Sequence, residues 1–174
     1  MLEGSPNFQD VVRDYKRGVF ALAYDLTGNH HDAEDLTQEV FIKAHRGLSS
    51  FRGESGLYAW LRRIAVNTHL NRRRKKALSF MRLFGDVEES ATWSGEEPSP
   101  FDGAAAGDTR SHIDRALDGL TPRERTAFVM RHYHEQSTRE VAEAMGIAQG
   151  TVKSLLFRAT GKLRDSLDYL RQDS

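Results

Sequence analysis

Cysteine is missing altogether from the 174 residues. Its absence excludes disulfides, thiol catalysis, cysteine-based zinc sites and direct thiol redox sensing, and it fits a reducing compartment. No run of 18 or more apolar residues occurs, so no membrane insertion is expected. The opening MLEGSPNFQD lacks the basic-then-apolar order of a signal peptide, and the expectation is a soluble, cytoplasmic protein. Stretches that alternate apolar with polar residues are lacking too, which argues against sheet. There is no GxxxxGK[ST] loop, no glycine-rich nucleotide fingerprint and no HExxH pair. The histidines His30 and His31 are adjacent, and His132 and His134 stand two apart, positions that do not share a helix face. No metal, no other cofactor and no enzymatic activity are expected. Net charge is lacking as well, 25 basic residues balancing 25 acidic ones.

That balance hides a pattern. Residues 1–78 hold 13 Lys and Arg against 9 Asp and Glu, residues 79–110 hold 2 against 7, and residues 111–174 hold 10 against 9. Two basic regions are separated by an acidic connector. Outside the connector the apolar periodicity is helical. It predicts helices over residues 8–26, ended by Gly28-Asn29, over residues 31–48, and over residues 57–76 with Leu57, Leu61, Ile64, Ala65 and Thr68 on one face. Between Ser79 and Ser111 the periodicity stops, and Gly, Ser, Pro and acids read as a flexible linker in which Trp93 and Phe101 are unusual.

Beyond the linker, helix starts are written explicitly. Thr121-Pro122-Arg123-Glu124 is a capping box with proline at the first helical position, and Ser137-Thr138-Arg139-Glu140 is a second box. Gly146 stops the short helix that Ser137 opens, and a longer helix follows, so the pair reads as a helix-turn-helix. The fold expected is therefore all-α, with two small helical domains, 1–78 and 111–174, joined by a flexible acidic linker, 79–110, and a helix-turn-helix in the C-terminal one.

Three surfaces stand out. On the last helix Val152, Leu156, Ala159, Leu163 and Leu167 form the apolar stripe, and Phe157 lies about 140° away at about 100° per residue. Lys153, Ser154, Phe157 and Arg158 supply the polar donors and the apolar contact that base edges in a major groove require. Helix starts near Ser137, Thr138 and Thr151 offer phosphate anchors. The third helix carries Trp60, Arg63, Asn67 and Arg74 on a stripe apart from its apolar face, preceded by a loop with Phe51, Arg52 and Tyr58. Aromatics interleaved with arginine suit unpaired bases, and the basic run 72–76 suits phosphates, although a core tryptophan and a solvated helix end are the ordinary alternatives. The second helix sets Asp32, Asp35 and Glu39 beside its apolar stripe, with Glu34, Gln38, Phe41 and Ile42 nearby, and reads as a protein-binding surface. Asp32 also suits an ordinary role at the helix start.

The stretches DAEDLTQEVFIKAHRGLSSFRGESGLYAWLRRIAVNTHLNRRR, LTPRERTAFVMRHY and STREVAEAMGIAQGTVKSLLFRAT together resemble bacterial RNA polymerase sigma factors of the extracytoplasmic-function class. The resemblance covers residues 8–78 and 111–170. It implies a promoter-melting domain, a linker and a domain that reads the upstream promoter element, serving a stress- or signal-induced regulon. It also implies that Asp32, Glu34, Asp35, Gln38, Glu39, Phe41 and Ile42 grip the clamp helices of the polymerase's largest subunit, with the flap of the second-largest subunit as a further contact. Phe51, Arg52, Gly53 and Ser55 would capture a flipped base of the −10 element, and Tyr58, Trp60, Arg63 and Asn67 would hold the melted strand. Ser137, Thr138, Thr151, Lys153, Ser154, Phe157 and Arg158 would serve the −35 element. Partners implied are core RNA polymerase, promoter DNA both duplex and single-stranded, and an anti-sigma factor that can hold such a protein near the membrane.

Two positions depart from the family pattern, Leu155 and Thr160 standing where a basic residue is common, which shifts phosphate contact toward Lys162 and Arg164. The second stretch on its own also resembles the DNA-binding domain of LuxR-type regulators. Such a regulator would bind only duplex DNA, and a receiver half would need alternating strands and helices, which the first half lacks. An adaptor that binds only protein is the third reading, opposed by the last helix and by the run 72–76.

Overall fold

The computed structural model describes residues 6–84 and 108–168. Among them every regular element is a helix: α1 Phe8–Thr27, α2 His30–Gly47, a 3-10 turn Leu48–Ser50, α3 Leu57–Phe84, α4 Asp108–Asp118, α5 Pro122–His132, α6 Thr138–Met145 and α7 Gln149–Leu167. The chain divides into two compact units, Met1–Asn71 and Arg72–Ser174, the division falling within α3.

In the first unit the expected punctuation sets the helices. Asn7 caps α1 by accepting from the Gln9 N–H, and Gly28 ends it in the left-handed region at φ 81°. Asn29 then caps α2, accepting from the Asp32 N–H. Val11, Val19, Leu22, Ala23 and Leu26 of α1 are buried, as are Ala33, Leu36, Val40 and Ala44 of α2 and Leu61, Ala65 and Val66 of α3. Each large side chain so buried contributes about 1.5–3 kcal/mol. A hydrogen bond of 3.0 Å from Lys43 Nζ to the Thr68 hydroxyl ties α2 to α3.

Helix α3 runs past residue 76 to Phe84. The added turns, ALSFMRLF, contain neither glycine nor proline, so nothing in the chain stops the helix there. Helix also covers 108–110, so both ends of the segment read as a connector are helical. Trp93 and Phe101 lie outside the described residues.

In the second unit both capping boxes form in full, Thr121 with Glu124 and Ser137 with Glu140. Gly146 takes φ 65° at the end of α6, a conformation that costs a side chain-bearing residue steric energy, and so turns the chain into α7. One apolar cluster joins Ala116, Leu117 and Leu120 to Ala159 and Leu163, with Ile113, Phe128 and Leu167 at its edge. The buried stripe of α7 is Val152, Leu155, Ala159 and Leu163, whereas Leu156 and Leu167 are only half-buried. The periodicity had favoured Leu156 over Leu155. Both lie within about 60° of Val152 on a helical wheel, and the position of α4, α5 and α6 around α7 decides between them.

Candidate nucleic-acid interface

The face of α7 opposite its buried stripe is open. Lys153, Ser154, Phe157 and Arg158 are all exposed, Phe157 at 82% of its surface. The Ser154 hydroxyl donates to the Gly150 carbonyl at 3.1 Å and keeps only acceptor capacity, and Arg158 Nε reaches the Ser154 carbonyl at 3.5 Å, so both lie along the helix while Arg158 retains further N–H donors. Thr151 is exposed in the first turn, and the N-cap, Ala148, provides no side-chain hydrogen bond. The start of α6 differs. Ser137 Oγ donates to Glu140 Oε2 at 2.8 Å and accepts from the Glu140 N–H, so Ser137 is engaged within the protein. The Glu140 carboxylate stands at that helix start, where it opposes a phosphate. Thr138 is half-buried beside it.

Leu155 is 5% exposed, so its position faces the core and offers nothing to a phosphate. Lys162 is engaged within the protein. Its Nζ lies 2.8 Å from Glu124 Oε2, bonding α7 to the buried N-terminal turn of α5. Burial penalises the Glu124 charge, but the bond from Lys162 and those from Thr121 prevail, and the carboxyl is held below the usual range. Arg164 is exposed and pairs weakly with Asp165 at 3.5 Å, and Thr160 is exposed.

In the first unit two glycines receive the aromatics. A Cβ added to Gly47 would stand 3.1 Å from Trp60 Cζ2, and one on Gly18 would stand 2.8 Å from the Tyr58 hydroxyl. Trp60 therefore lies flush on α2 and Tyr58 on α1, each half-buried. Phe51 packs on Trp60 with ring centroids 5.2 Å apart, and Tyr15 stacks on Tyr58 at 5.7 Å. Burial raises the Tyr58 hydroxyl pKa, opposed by Arg62, whose guanidinium lies 4.8 Å from the ring centroid. The two rings are thus wedges that seat α3, with one side of Trp60 occupied by Phe51. Arg52, Gly53 and Ser55 of the following loop are exposed, as are Arg63, Asn67 and Arg74 along α3. An interior glycine in a helical pattern was the available sign of these close approaches.

On α2 the expected surface is largely present. Gln38 and Ile42 are exposed, Ile42 at 52%. Glu34 faces His30 at 3.1 Å, Asp35 faces His31 at 3.6 Å, and Glu39 pairs with Lys43 at 2.9 Å. Such surface pairs contribute about 0–1 kcal/mol each, so a partner displaces them readily. Asp32 takes the helix-start role its position also suited, and Phe41 departs from the expectation. Asp32 accepts from the Asn29 amide at 2.8 Å, completing a reciprocal cap. Phe41 is 8% exposed and meets Phe8 edge-on at 6.5 Å, so it belongs to the core beneath the surface. Among the described residues no helix is long and apolar enough to cross a membrane, and no cluster of His, Asp and Glu could hold a metal.

Among the described residues every regular element is a helix, with a helix-turn-helix in the second unit and an arginine-rich helix seated by aromatics in the first, an arrangement that fits a DNA-binding protein. Residues 11–78 match Sigma-70 region 2, and residues 110–163 match Sigma-70, region 4. The chain is 34% identical over 163 residues to the ECF RNA polymerase sigma factor SigE of Mycolicibacterium smegmatis, covering 93% of this chain and 62% of that protein. It is 32% identical over 168 residues to the ECF RNA polymerase sigma factor SigW of Bacillus subtilis, covering 92% and 88%. The solved structure of the sigma factor RpoE in complex with the anti-sigma factor NepR from Bartonella quintana is similar at 28% identity and a TM-score of 0.69, over 92% of this chain and 96% of that one. CnrH, in complex with the cytosolic domain of CnrY, shares the fold at 20% identity and a TM-score of 0.63. The chain belongs to the ECF RNA polymerase sigma factors, transcription initiation factors without catalysis of their own.

Proposed function

We propose that this chain directs core RNA polymerase to promoters with defined −35 and −10 elements and stabilises the melted −10 strand. Residues 111–174 hold the upstream duplex through Thr151, Lys153, Ser154, Phe157 and Arg158, and contact the flap of the second-largest subunit. Residues 1–78 grip the clamp helices of the largest subunit through Glu34, Asp35, Gln38, Glu39 and Ile42. Phe51, Arg52, Gly53 and Ser55, with Arg63 and Asn67, receive the unpaired strand, while Tyr58, Trp60 and Phe41 seat those surfaces from beneath. Strand opening follows from preferential binding of the unpaired state, where stacking contributes about 1–3 kcal/mol per base. An anti-sigma factor restrains the protein in the cytoplasm until a signal releases it, a reading supported by the complex formed by RpoE of Bartonella quintana.

The observation that supports this reading is the presence, in one chain, of an open face on α7 with Lys153, Ser154, Phe157 and Arg158 exposed and a second row of exposed Arg63, Asn67 and Arg74 on α3. The test incubates the protein with core RNA polymerase and a promoter library, maps unpaired thymines with permanganate and sequences the transcripts. Defined starts with thymines opened just upstream, lost on Asp35→Ala, support it. Duplex binding without polymerase and without opening would replace it with a LuxR-type regulator.

A further inference from the structure

We infer that the C-terminal part of α3 is a peripheral binding site for an anionic lipid surface. The inference goes beyond the sigma reading and does not depend on it. Helix α3 holds eight Lys and Arg and no Asp or Glu, and six of the eight fall in residues 72–84. From Arg74 to Leu83 every residue except the half-buried Met81 is exposed, Leu78 at 50% and Leu83 at 74%. At about 100° per residue, Arg74, Leu78, Arg82, Lys75, Leu83 and Lys76 follow one another within about 200° of the circumference. Met81 and the half-buried Arg73 lie on the remaining side. One side of the helix thus carries four cations interleaved with two large apolar side chains, and α3 has no acid of its own to pair with them.

Attraction to phosphate explains the cations but not the leucines, which gain nothing beside a nucleic-acid backbone. The headgroup layer of a bilayer suits both, with phosphates for the guanidinium and ammonium groups and the acyl boundary just below for apolar side chains. The long stems of Arg and Lys let their charged heads rise to the phosphate plane while the leucines beside them go deeper. Such a site is peripheral, since among the described residues no helix is long and apolar enough to cross a membrane. Residues 74–82 extend about 12 Å along the axis at about 1.5 Å per residue, enough to lie in the plane of the interface. A protein partner would have to set carboxylates around this convex side in fixed positions, whereas lipid headgroups move to meet each cation. The neutral charge of the whole chain is no obstacle, because screening within about 8 Å at physiological salt leaves each cation to its nearest phosphates. Lipid and an unpaired DNA strand would compete for Arg74, Lys75 and Lys76, so a membrane-bound chain is kept from promoters.

The test mixes the full chain with vesicles of phosphatidylcholine alone, or of equal parts phosphatidylcholine and phosphatidylglycerol, and measures the bound fraction by cosedimentation. Binding is expected to the anionic vesicles only, and it should weaken as salt rises. Changing Arg74, Lys75 and Lys76 to glutamine should lower the partition coefficient about a hundredfold, at about fivefold per cation. Leu78→Ser combined with Leu83→Ser should lower it about tenfold while leaving binding to a single-stranded oligonucleotide unchanged. All the changed side chains are exposed, so the thermal unfolding midpoint should stay that of the wild type. Equal binding to the two kinds of vesicle, or none to either, overturns the inference. A leucine double variant that binds vesicles as the wild type does also overturns it, since the face would then be a non-specific polyanion site for nucleic acid. The same holds if binding appears only when the acids of residues 79–110 are changed to amides, because the chain's own connector would then be what the cations meet. Transcription starts in the polymerase assay decide the sigma reading separately, so either reading can fail alone.

Discussion

Inside the second unit the carboxylate of Glu124 accepts from the Thr121 backbone N–H at 3.0 Å and from Lys162 at 2.8 Å. One side chain therefore both starts α5 and fixes the azimuth of α7. Because its side chain is 3% exposed while that of Lys162 is 44% exposed, removing the charge weakens a charge-assisted hydrogen bond on its buried side and leaves Lys162 to water. Glu124→Gln is expected to destabilise the protein by about 1–3 kcal/mol in urea unfolding at neutral pH. The sign of the pH dependence follows from a folded pKa held below the usual range. The stabilisation is full above the unfolded value and disappears as pH falls through the folded one, so the gap between wild type and Glu124→Gln narrows on acidification. A gap that widened toward acid would contradict the assignment. Gly47 poses a different test. A Cβ there meets Trp60 at 3.1 Å, so the indole must shift by a few tenths of an ångström and carry Phe51 with it. Alanine gains at most about 1 kcal/mol of helix propensity, less at this last residue of α2, which partly offsets the strain. Gly47→Ala should therefore leave stability nearly unchanged while permanganate reactivity of the −10 thymines falls several-fold at constant polymerase binding. Equal losses in both would mean that the indole does not position the loop.

Among the elements, α5, α6 and α7 of the second unit start in different ways. α5 and α6 are closed by capping boxes, whereas α7 begins at Ala148 with no side chain over its first N–H groups. Those donors and the positive end of the helix dipole are available to a phosphate. Ala148→Asp is expected to stabilise the fold by about 0.5–2 kcal/mol as an N-cap and yet to weaken promoter binding, because a carboxylate then occupies the phosphate position. Tighter binding alongside the higher stability would exclude phosphate contact at this terminus. The elements were also where the sequence could be read most directly. Capping boxes, the stop at Gly146 and the Gly28-Asn29 break are local chemistry, so Thr121, Ser137 and Asn29 appear in the structure in the roles their types imply. Choices made by packing were not legible in that way. Leu155 against Leu156, Phe41 as core beneath an acidic face, and Lys162 as a partner for Glu124 each depend on which neighbouring helix lies alongside. The exposed site residues Lys153, Arg158, Arg63 and Asn67 were legible because a charged or amide group off the apolar stripe has few places to go but outward.

At the scale of the whole molecule, zero net charge and DNA binding are compatible because counterions respond to local charge. A protein treated as one neutral body would bind DNA with little dependence on salt. Residues 79–110, with 7 acids against 2 bases, account for the balance, while the basic run 72–76 lies together on α3. Arg74, Lys75 and Lys76 of that run are exposed. If they lie along the melted strand, each phosphate they neutralise adds about 0.7 to the magnitude of the slope of log K against log salt. Changing all three to glutamine should then lower the slope of open-complex formation by about two, and should do so without altering which promoters are chosen, because phosphate contacts carry no base information. Phe157→Ala is the converse case, expected to change promoter choice and leave the slope as it was. A triple variant with an unchanged slope would make the run a solvated helix end, and Arg52, Arg63 and Asn67 would then be the contacts left to hold the unpaired strand.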